Sequence, residues 1–416
     1  MNTAQADVRN GTPAIFNMLD LEQFVGGHPH AAYDLLRSTD PVHLHPGGPS
    51  QLPFHVLTSH ADVQAVSRDT RRFSSANGFN LAASGENTAA SAVLRALGRN
   101  ILTYDPPEHG DFKRILMPMF MPARLRILED RIRTFVAELL ESLDGRTEVE
   151  FVSEVASAVP IRALCELLGV PAEDEPKILA WTNRMVGAED PDMSANIIEA
   201  QQAFLEVFAY GKWLVEKRRA EPRDDLMSLI AHGTLAGEPL SDATRDGMCA
   251  TLFAAGNETT RNALTGSVML LTDHPGQRAQ LVANAELIPD AVEEILRHTS
   301  PVIHMVRTAV EDVQLRDKTI AAGERVALLY GAANHDPAVF ENPHALDIGR
   351  SNARQHLAFG TGIHHCIGAR LAQIELRALL TELLRRYPDI SATGDPAYLR
   401  SNFVCGVKRL PVRLFS

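Results

Sequence analysis

Cys366 stands in the run Phe359-Gly360-Thr361-Gly362-Ile363-His364-His365-Cys366-Ile367-Gly368-Ala369, directly ahead of an amphipathic stretch. A sulfur in a glycine-rich loop at a helix N-terminus meets unpaired backbone N–H groups and the positive end of the helix dipole. Both favour a thiolate, and a thiolate held there is a ligand or a nucleophile. A second stretch, Ala255-Gly256-Asn257-Glu258-Thr259-Thr260, lies in the middle of the long apolar run from Ser241 to Thr272. Glycine, a carboxylate and two β-branched hydroxyls are poor choices for the interior of a core helix. Local rules broken at such a place mark function.

The glycines around Cys366 are not framed by a strand–turn–helix unit, which argues against a dinucleotide loop. His364, His365 and Cys366 are adjacent and have no second cluster, which does not match tetrahedral zinc spacing. An inert buried cysteine is the plain alternative. For the central stretch, the plain alternative is a helix kink with a satisfied threonine.

The elements that must position these residues are mostly helical. Amphipathic runs cover Ala123 to Leu143, Ile178 to Val186, Ile197 to Arg219, Asp225 to His232, Ser241 to Thr272, Pro289 to His298 and Ile367 to Arg386. The Ser241 to Thr272 run would span roughly 48 Å as a helix and is apolar around most of its circumference, so it is expected to cross the middle of the fold. Short strands are expected at Val42 to His45, Pro53 to Leu57, Val306 to Ala309, Val313 to Leu315, Arg325 to Tyr330 and Leu410 to Leu414. The expected fold is mainly α with a small β region from about 40–60, 305–330 and 390–416, in a single domain over 1–416. Ala76 to Asn100 is rich in small polar residues and is expected to be a mobile surface segment.

The chain has 416 residues, 45% of them hydrophobic and 22% charged, which is enough for a deep core. A net charge of −12 argues against general nucleic-acid binding. The four cysteines, Cys165, Cys249, Cys366 and Cys405, include no Cys-x-x-Cys pair, so a disulfide framework is not expected and a reducing compartment is favoured. No signal peptide or membrane span is evident, and a cytoplasmic, soluble protein is expected.

The complete Phe-Gly-x-Gly-x-His-x-Cys-x-Gly pattern from Phe359 to Gly368 resembles the cytochrome P-450 superfamily of haem-thiolate monooxygenases. The resemblance extends along the chain. Glu294-Ile295-Leu296-Arg297 resembles the family's Glu-x-x-Arg helix, with Arg350 at the position of its downstream arginine. Ala255 to Thr260 resembles the oxygen-activation motif. Asp105-Pro106-Pro107-Glu108-His109 resembles a helix start that supplies a histidine and, four residues on, an arginine; here Lys113 takes that second position, a point charge instead of a bidentate fork. Pro222-Arg223-Asp224-Asp225-Leu226 and Asn334-His335-Asp336-Pro337 also match, and Ser401-Asn402-Phe403 resembles bacterial members acting on terpenes, sterols or alkyl aromatics.

The resemblance implies haem b (iron protoporphyrin IX) with Cys366 as its axial iron ligand, a thiolate that favours O–O cleavage. Phe359, Gly360 and Gly368 would shape the ligand loop, and His109, Lys113, Arg307 and His364 would anchor the propionates. Glu294, Arg297 and Arg350 would be structural. Thr259 would supply a hydroxyl proton and Glu258 would relay protons from solvent, with Gly256 leaving room for dioxygen. Thr251, Ala255, Val302, Ile303 and Val404 would face a small to medium apolar substrate, and Ala76 to Asn100 and Met185 to Phe208 would form the entrance and lid. The implied reaction inserts one atom of O₂ into a C–H bond. Electrons are expected from a separate ferredoxin and its NAD(P)H-dependent ferredoxin reductase, docking on a face made basic by Lys113, Arg354, Arg370 and Arg377. Two other readings stay open: an H₂O₂-driven peroxygenase and a non-catalytic haem-binding sensor.

Overall fold

The computed structural model describes residues 16–49, 51–84, 100–186, 190–193, 197–235 and 237–415. The fold is mainly α with a small β region. Its axis is the helix Asp242–Asp273, 32 residues long. Ser241 caps it, its side chain accepting from the Thr244 backbone N–H, which satisfies one of the orphan donors of the first turn. Pro275 ends it by opening the next helix, Pro275–Ala283, at a position where its missing N–H costs nothing.

This helix carries apolar residues on most sides because it has neighbours on most sides. The helices Ile197–Ala220, Ala158–Leu168, Glu175–Val186, Ile288–Thr299 and Ala369–Arg386 all pack against it. Phe253, Leu264, Val268 and Leu271 join Leu164, Leu168, Ile295, Leu379 and Leu383 in one core. Each such side chain stabilises the fold by about 1.5–3 kcal/mol on burial.

The crossing with Ile288–Thr299 is close at Gly266. A Cβ on Gly266 would sit 2.4 Å from Thr299 Cγ2. The Thr299 hydroxyl donates to the Ile295 carbonyl at 2.9 Å, so the methyl cannot rotate away without losing that bond. Gly266→Ala gains about 1 kcal/mol of helix propensity against about 1–3 kcal/mol of overpacking. A net loss of stability is expected in denaturant titration. An unchanged or raised midpoint would contradict so close a crossing.

The β region is a five-stranded sheet in the order Val42–His45, Phe54–Leu57, Arg325–Leu329, His304–Ala309, Phe73–Ser74. Phe54–Leu57 pairs in parallel with Arg325–Leu329, with Phe54 opposite Arg325. Arg325–Leu329 pairs antiparallel with His304–Ala309, with Arg325 opposite Thr308. A three-stranded sheet joins Ser391–Ala392, Pro411–Arg413 and Glu148–Glu150.

The expected helices are found with ends moved by one to three residues, as at Leu226–Ala231, Ile288–Thr299 and Glu175–Val186. The helix after Cys366 runs from Ala369 to Arg386, because Ile367 and Gly368 complete the loop first. Helices His30–Thr39, His60–Arg68, Ala158–Leu168 and Pro275–Ala283 are additions to the sequence-based picture. Ala158–Leu168 is disguised by Pro160 in its first turn and by the π turn Val152–Ala156 ahead of it. In the expected entrance and lid, residues 85–99, 187–189 and 194–196 lie outside the described residues.

Candidate active site

Two positive-φ glycines turn the chain toward Cys366. Gly360 has φ +66°, and a Cβ there would be 3.4 Å from the Tyr330 hydroxyl. Gly362 has φ +72°, and a Cβ would be 3.1 Å from the Ser67 carbonyl oxygen. Only glycine adopts both bends without strain. The Cys366 N–H donates to the Phe359 carbonyl at 2.9 Å, which closes the loop. Phe359 packs beside the rings of His356 and His365.

Cys366 is exposed on one side yet set deep in the fold, and desolvation raises its thiol above the ordinary range. The backbone N–H groups of Gly368 and Ala369 and the charge of Lys113 pull it down by less. The helix N-terminus thus pulls toward the thiolate, as its place in the sequence suggests, while desolvation pulls the other way. Desolvation outweighs the dipole here. A coordinated metal cation would reverse the balance.

Four basic side chains converge from three elements. His109 and Lys113 lie one turn apart on Glu108–Leu116, Arg307 is on the strand His304–Ala309, and His364 ends the short turn Gly362–His364. The rings of His109 and His364 meet edge to face at 4.4 Å. Ser75 Oγ lies 3.0 Å from His364 Nε2. Lys113 Nζ donates to the Ile363 carbonyl at 3.2 Å. Arg307 is buried, donates to its neighbour's carbonyl at 2.8 Å, and leaves Nε without a partner.

Among the described residues none of the four has an ion-paired carboxylate; Asp105, which is near, is taken by Ser74 and by the Ser75 N–H. Burial, followed by Arg307, His109 and Lys113, pushes His364 down to about 2. Burial and then Lys113 lower His109, and burial lowers Arg307. Imidazoles kept from charging and cations without counter-charges, crowded together, fit a ligand carrying carboxylates.

On the central helix, Thr251 and Thr259 are half-buried and Ala255 is exposed. They are spaced by four and so form one stripe. An open stripe midway along a core helix means unfilled volume beside it. The Thr259 hydroxyl donates to the Ala255 carbonyl at 3.0 Å. The helix is continuous through the motif. The absent side chain at Gly256 has a packing cause: a Cβ would be 2.9 Å from Leu164 Cδ1. The glycine leaves space for the Leu164 side chain of Ala158–Leu168.

Glu258 points elsewhere and is only 2% exposed. Its Oε1 accepts from Arg261 and, at 3.0 Å, from Asn262 Nδ2, while Oε2 has no partner. Arg261 reaches on to Asn183 Oδ1 at 2.7 Å. Sequence reasoning missed Arg261, Asn262 and Asn183. The first two were within reach, since residues three and four beyond Glu258 share its helix face.

Glu294 and Arg297 are both 0% exposed and form a bidentate pair at 2.7 and 2.8 Å. Arg350 Nε adds bonds to both Glu294 oxygens at 3.0 and 3.1 Å. Arg297 also donates to the carbonyls of Asn334 and Pro343, each at 2.8 Å. The trio thus ties Ile288–Thr299 to the irregular chain that leads into the Cys366 loop.

A family model described as cytochrome P450 matches residues 8–396. The chain belongs to the cytochrome P450 family. It is 33% identical to a linalool 8-monooxygenase of Pseudomonas putida, covering 93% of this chain and 95% of that protein. It is 34% identical to a methyl-branched lipid omega-hydroxylase of Mycobacterium tuberculosis, covering 99% of each. A cytochrome P450 crystal structure from Novosphingobium aromaticivorans superposes with a TM-score of 0.85 at 33% identity, covering 96% of this chain and 97% of that one. The protein is therefore a cytochrome P450 monooxygenase, an O₂-using oxidoreductase of the haem-iron kind. No helix among the described residues is long and apolar enough to cross a membrane.

In this P450 the remaining expected site residues are spread more widely. Val302 pairs with Val404 in an isolated bridge. Val302 is half-buried and Val404 buried. Ile303 is 1% exposed and packs with Phe54, Val56, Val306 and Leu329. It is a core residue and not a pocket wall, because successive side chains of an extended segment face opposite ways. Lys113, Phe359, Cys366 and Arg370 line a surface depression of about 430 Å³ together with Glu293 and Arg354. Arg370 is exposed there, Arg354 is paired with Asp290 at 2.8 Å, and Arg377 is half-buried.

Proposed function

We propose that this P450 hydroxylates a C–H bond of a small to medium apolar substrate of terpenoid, alkyl-aromatic or steroid-like kind, with haem b held by Cys366. The observation that carries this reading is the set of buried His109 and Arg307 with half-buried His364 and Lys113, which among the described residues has no ion-paired carboxylate, on the same side of the fold as the Cys366 loop. The donor set suits two propionates, and the sulfur suits iron. When bound, the haem supplies the oxygen-activating and electron-accepting chemistry.

The chain's own residues manage protons and shape. Thr259 must leave the Ala255 carbonyl before its hydroxyl can deliver a proton into the open volume. Glu258 is held off solvent by Arg261, which donates to it and to Asn183, so this pair must swing aside and admit water before the carboxylate can take up a proton. Thr251 and Ala255 give that volume a small, largely apolar wall. The linalool and lipid specificities in the relatives' names support an apolar substrate. The depression with Arg370 at its rim is the surface we assign to a ferredoxin donor, which its reductase would serve with electrons from NAD(P)H.

The test is the carbon monoxide spectrum of the reduced protein, followed by a panel of terpenes, alkylbenzenes and sterols scored for displacement of the iron's water ligand. A strongly red-shifted Soret band and a spectral shift with one of these classes are expected. A spectrum without that band removes the assignment of Cys366. For the proton role, Thr259→Ala is expected to keep electron consumption within a few-fold while diverting most of it to peroxide or water. Product formed per electron should fall about tenfold or more, within the range of one acid–base contribution. Unchanged coupling would clear Thr259 of that role.

A further inference from the structure

Five histidines gather at the edge of the fold, away from the Cys366 loop. The rings of His30 and His335 are 4.1 Å apart, His335 and His344 stack at 5.2 Å, and His30 and His344 are 5.4 Å apart. His28 and His298 flank them. Nothing in the P450 reaction needs this cluster. We propose that His30, His335 and His344 form a binding site for a divalent late-transition metal ion, zinc being the best fit, that fastens the N-terminal helix His30–Thr39 to the chain leading into the Cys366 loop.

Three observations carry it. One ring nitrogen from each residue lies within 4.8 Å of the others. The spacing in a tetrahedral zinc site with bonds of 2.0–2.1 Å is about 3.3 Å, so small ring rotations suffice. His335 and His344 lie on the chain after Tyr330–Ala333, and the fold, not sequence proximity, brings His30 to them from the helix His30–Thr39.

Hydrogen bonds on the outer side set the ring nitrogens. His335 Nδ1 lies 2.9 Å from the Gly331 carbonyl and must donate to it, which leaves Nε2 with a free lone pair. His344 Nε2 lies 2.7 Å from Asp34 Oδ2, which leaves Nδ1 free. A carbonyl behind one histidine and a carboxylate behind another is how metal-ligating imidazoles are oriented.

His30 supplies the third sign. Its Nδ1 is buried and has no hydrogen-bond partner. Such an atom is costly unless something binds it. The flanking pair is already occupied. His28 bonds the Ser300 carbonyl at 3.0 Å, and His298 Nε2 is 2.7 Å from Arg297 and 3.1 Å from the Ala345 carbonyl. The nearby cation Arg37 is neutralised by Asp34. Three imidazoles suit zinc, nickel or cobalt better than calcium or magnesium, which prefer oxygen ligands.

The test uses the haem-loaded full chain, stripped with chelator and titrated with zinc chloride. Wild type is expected to retain one equivalent after dialysis, with three nitrogen neighbours at 2.0–2.1 Å in zinc X-ray absorption. Its unfolding midpoint should rise with zinc. His344→Ala, at an exposed position, should keep the haem spectrum and lose both the retained metal and the midpoint shift. Asp34→Asn should keep the stoichiometry and weaken affinity about 10–100-fold, because only the orienting carboxylate is gone. Equal retention by wild type and His344→Ala would overturn the site, as would zinc bound without three imidazoles.

Discussion

Cys366→Ser is expected to leave a folded protein with no monooxygenase turnover above background and no red-shifted carbon monoxide band. The substitution is nearly isosteric. The loop is closed by backbone, through the Cys366 N–H and the Phe359 carbonyl, and bent by Gly360 and Gly362, none of which the side chain controls. The loss is therefore chemical. Even the native thiol is raised above its ordinary range, with Gly368, Ala369 and Lys113 failing to offset desolvation. A serine hydroxyl, far less acidic than a thiol, would remain protonated in the same surroundings and donate little charge to a metal. Turnover and the reduced spectrum in wild type and variant measure this directly. A variant that keeps the band would place the ligand elsewhere. Folding is checked independently by the far-ultraviolet circular dichroism and the unfolding midpoint, which should stay within about 1 kcal/mol of wild type.

The parts of this site that are read from sequence are those carried by local order. The Cys366 loop, the Glu294–Arg297 spacing and the long apolar run at Asp242–Asp273 are each contiguous, and each kept its expected position. What escaped is set by partners far along the chain. The strand Glu148–Glu150 exists because the tail Pro411–Arg413 lies beside it, with Val149 opposite Val412. Gly256 is explained by Leu164, and Glu258 by Arg261 and Asn183, one of which is on another helix. Ile303 misled because a strand's periodicity fixes which residues share a face but not which face meets the cavity. The surroundings of Cys366 are only half legible for a related reason. The helix end is visible in sequence, while the desolvation that outweighs it is a property of the assembled fold.

Arg297→Leu is expected to cost about 3–5 kcal/mol, the scale for stranding one member of a buried pair. Glu294 and Arg297 have no solvent contact, so water cannot replace the lost bonds. The change removes both contacts to Glu294, the donors to the Asn334 and Pro343 carbonyls, and the guanidinium over Phe340 at 5.0 Å. Arg350 would remain on Glu294, which limits the loss without removing it. Arg297→Lys keeps the charge but cannot form the fork, so it should recover only part of the stability. The same network sets an acid limit. Its hydrogen bonds and charges hold Glu294 well below the usual carboxylate range despite the opposing push of burial. A depressed folded value means the stabilisation is complete above the unfolded value of about 4.3 and is lost as pH falls through the folded one. Wild type should therefore weaken steeply below about pH 4, and Arg297→Leu should show a shallower acid slope from a lower plateau. Denaturant titrations across pH measure both. Near-native stability of Arg297→Leu at neutral pH would remove the network from any role in holding the loop that presents Cys366.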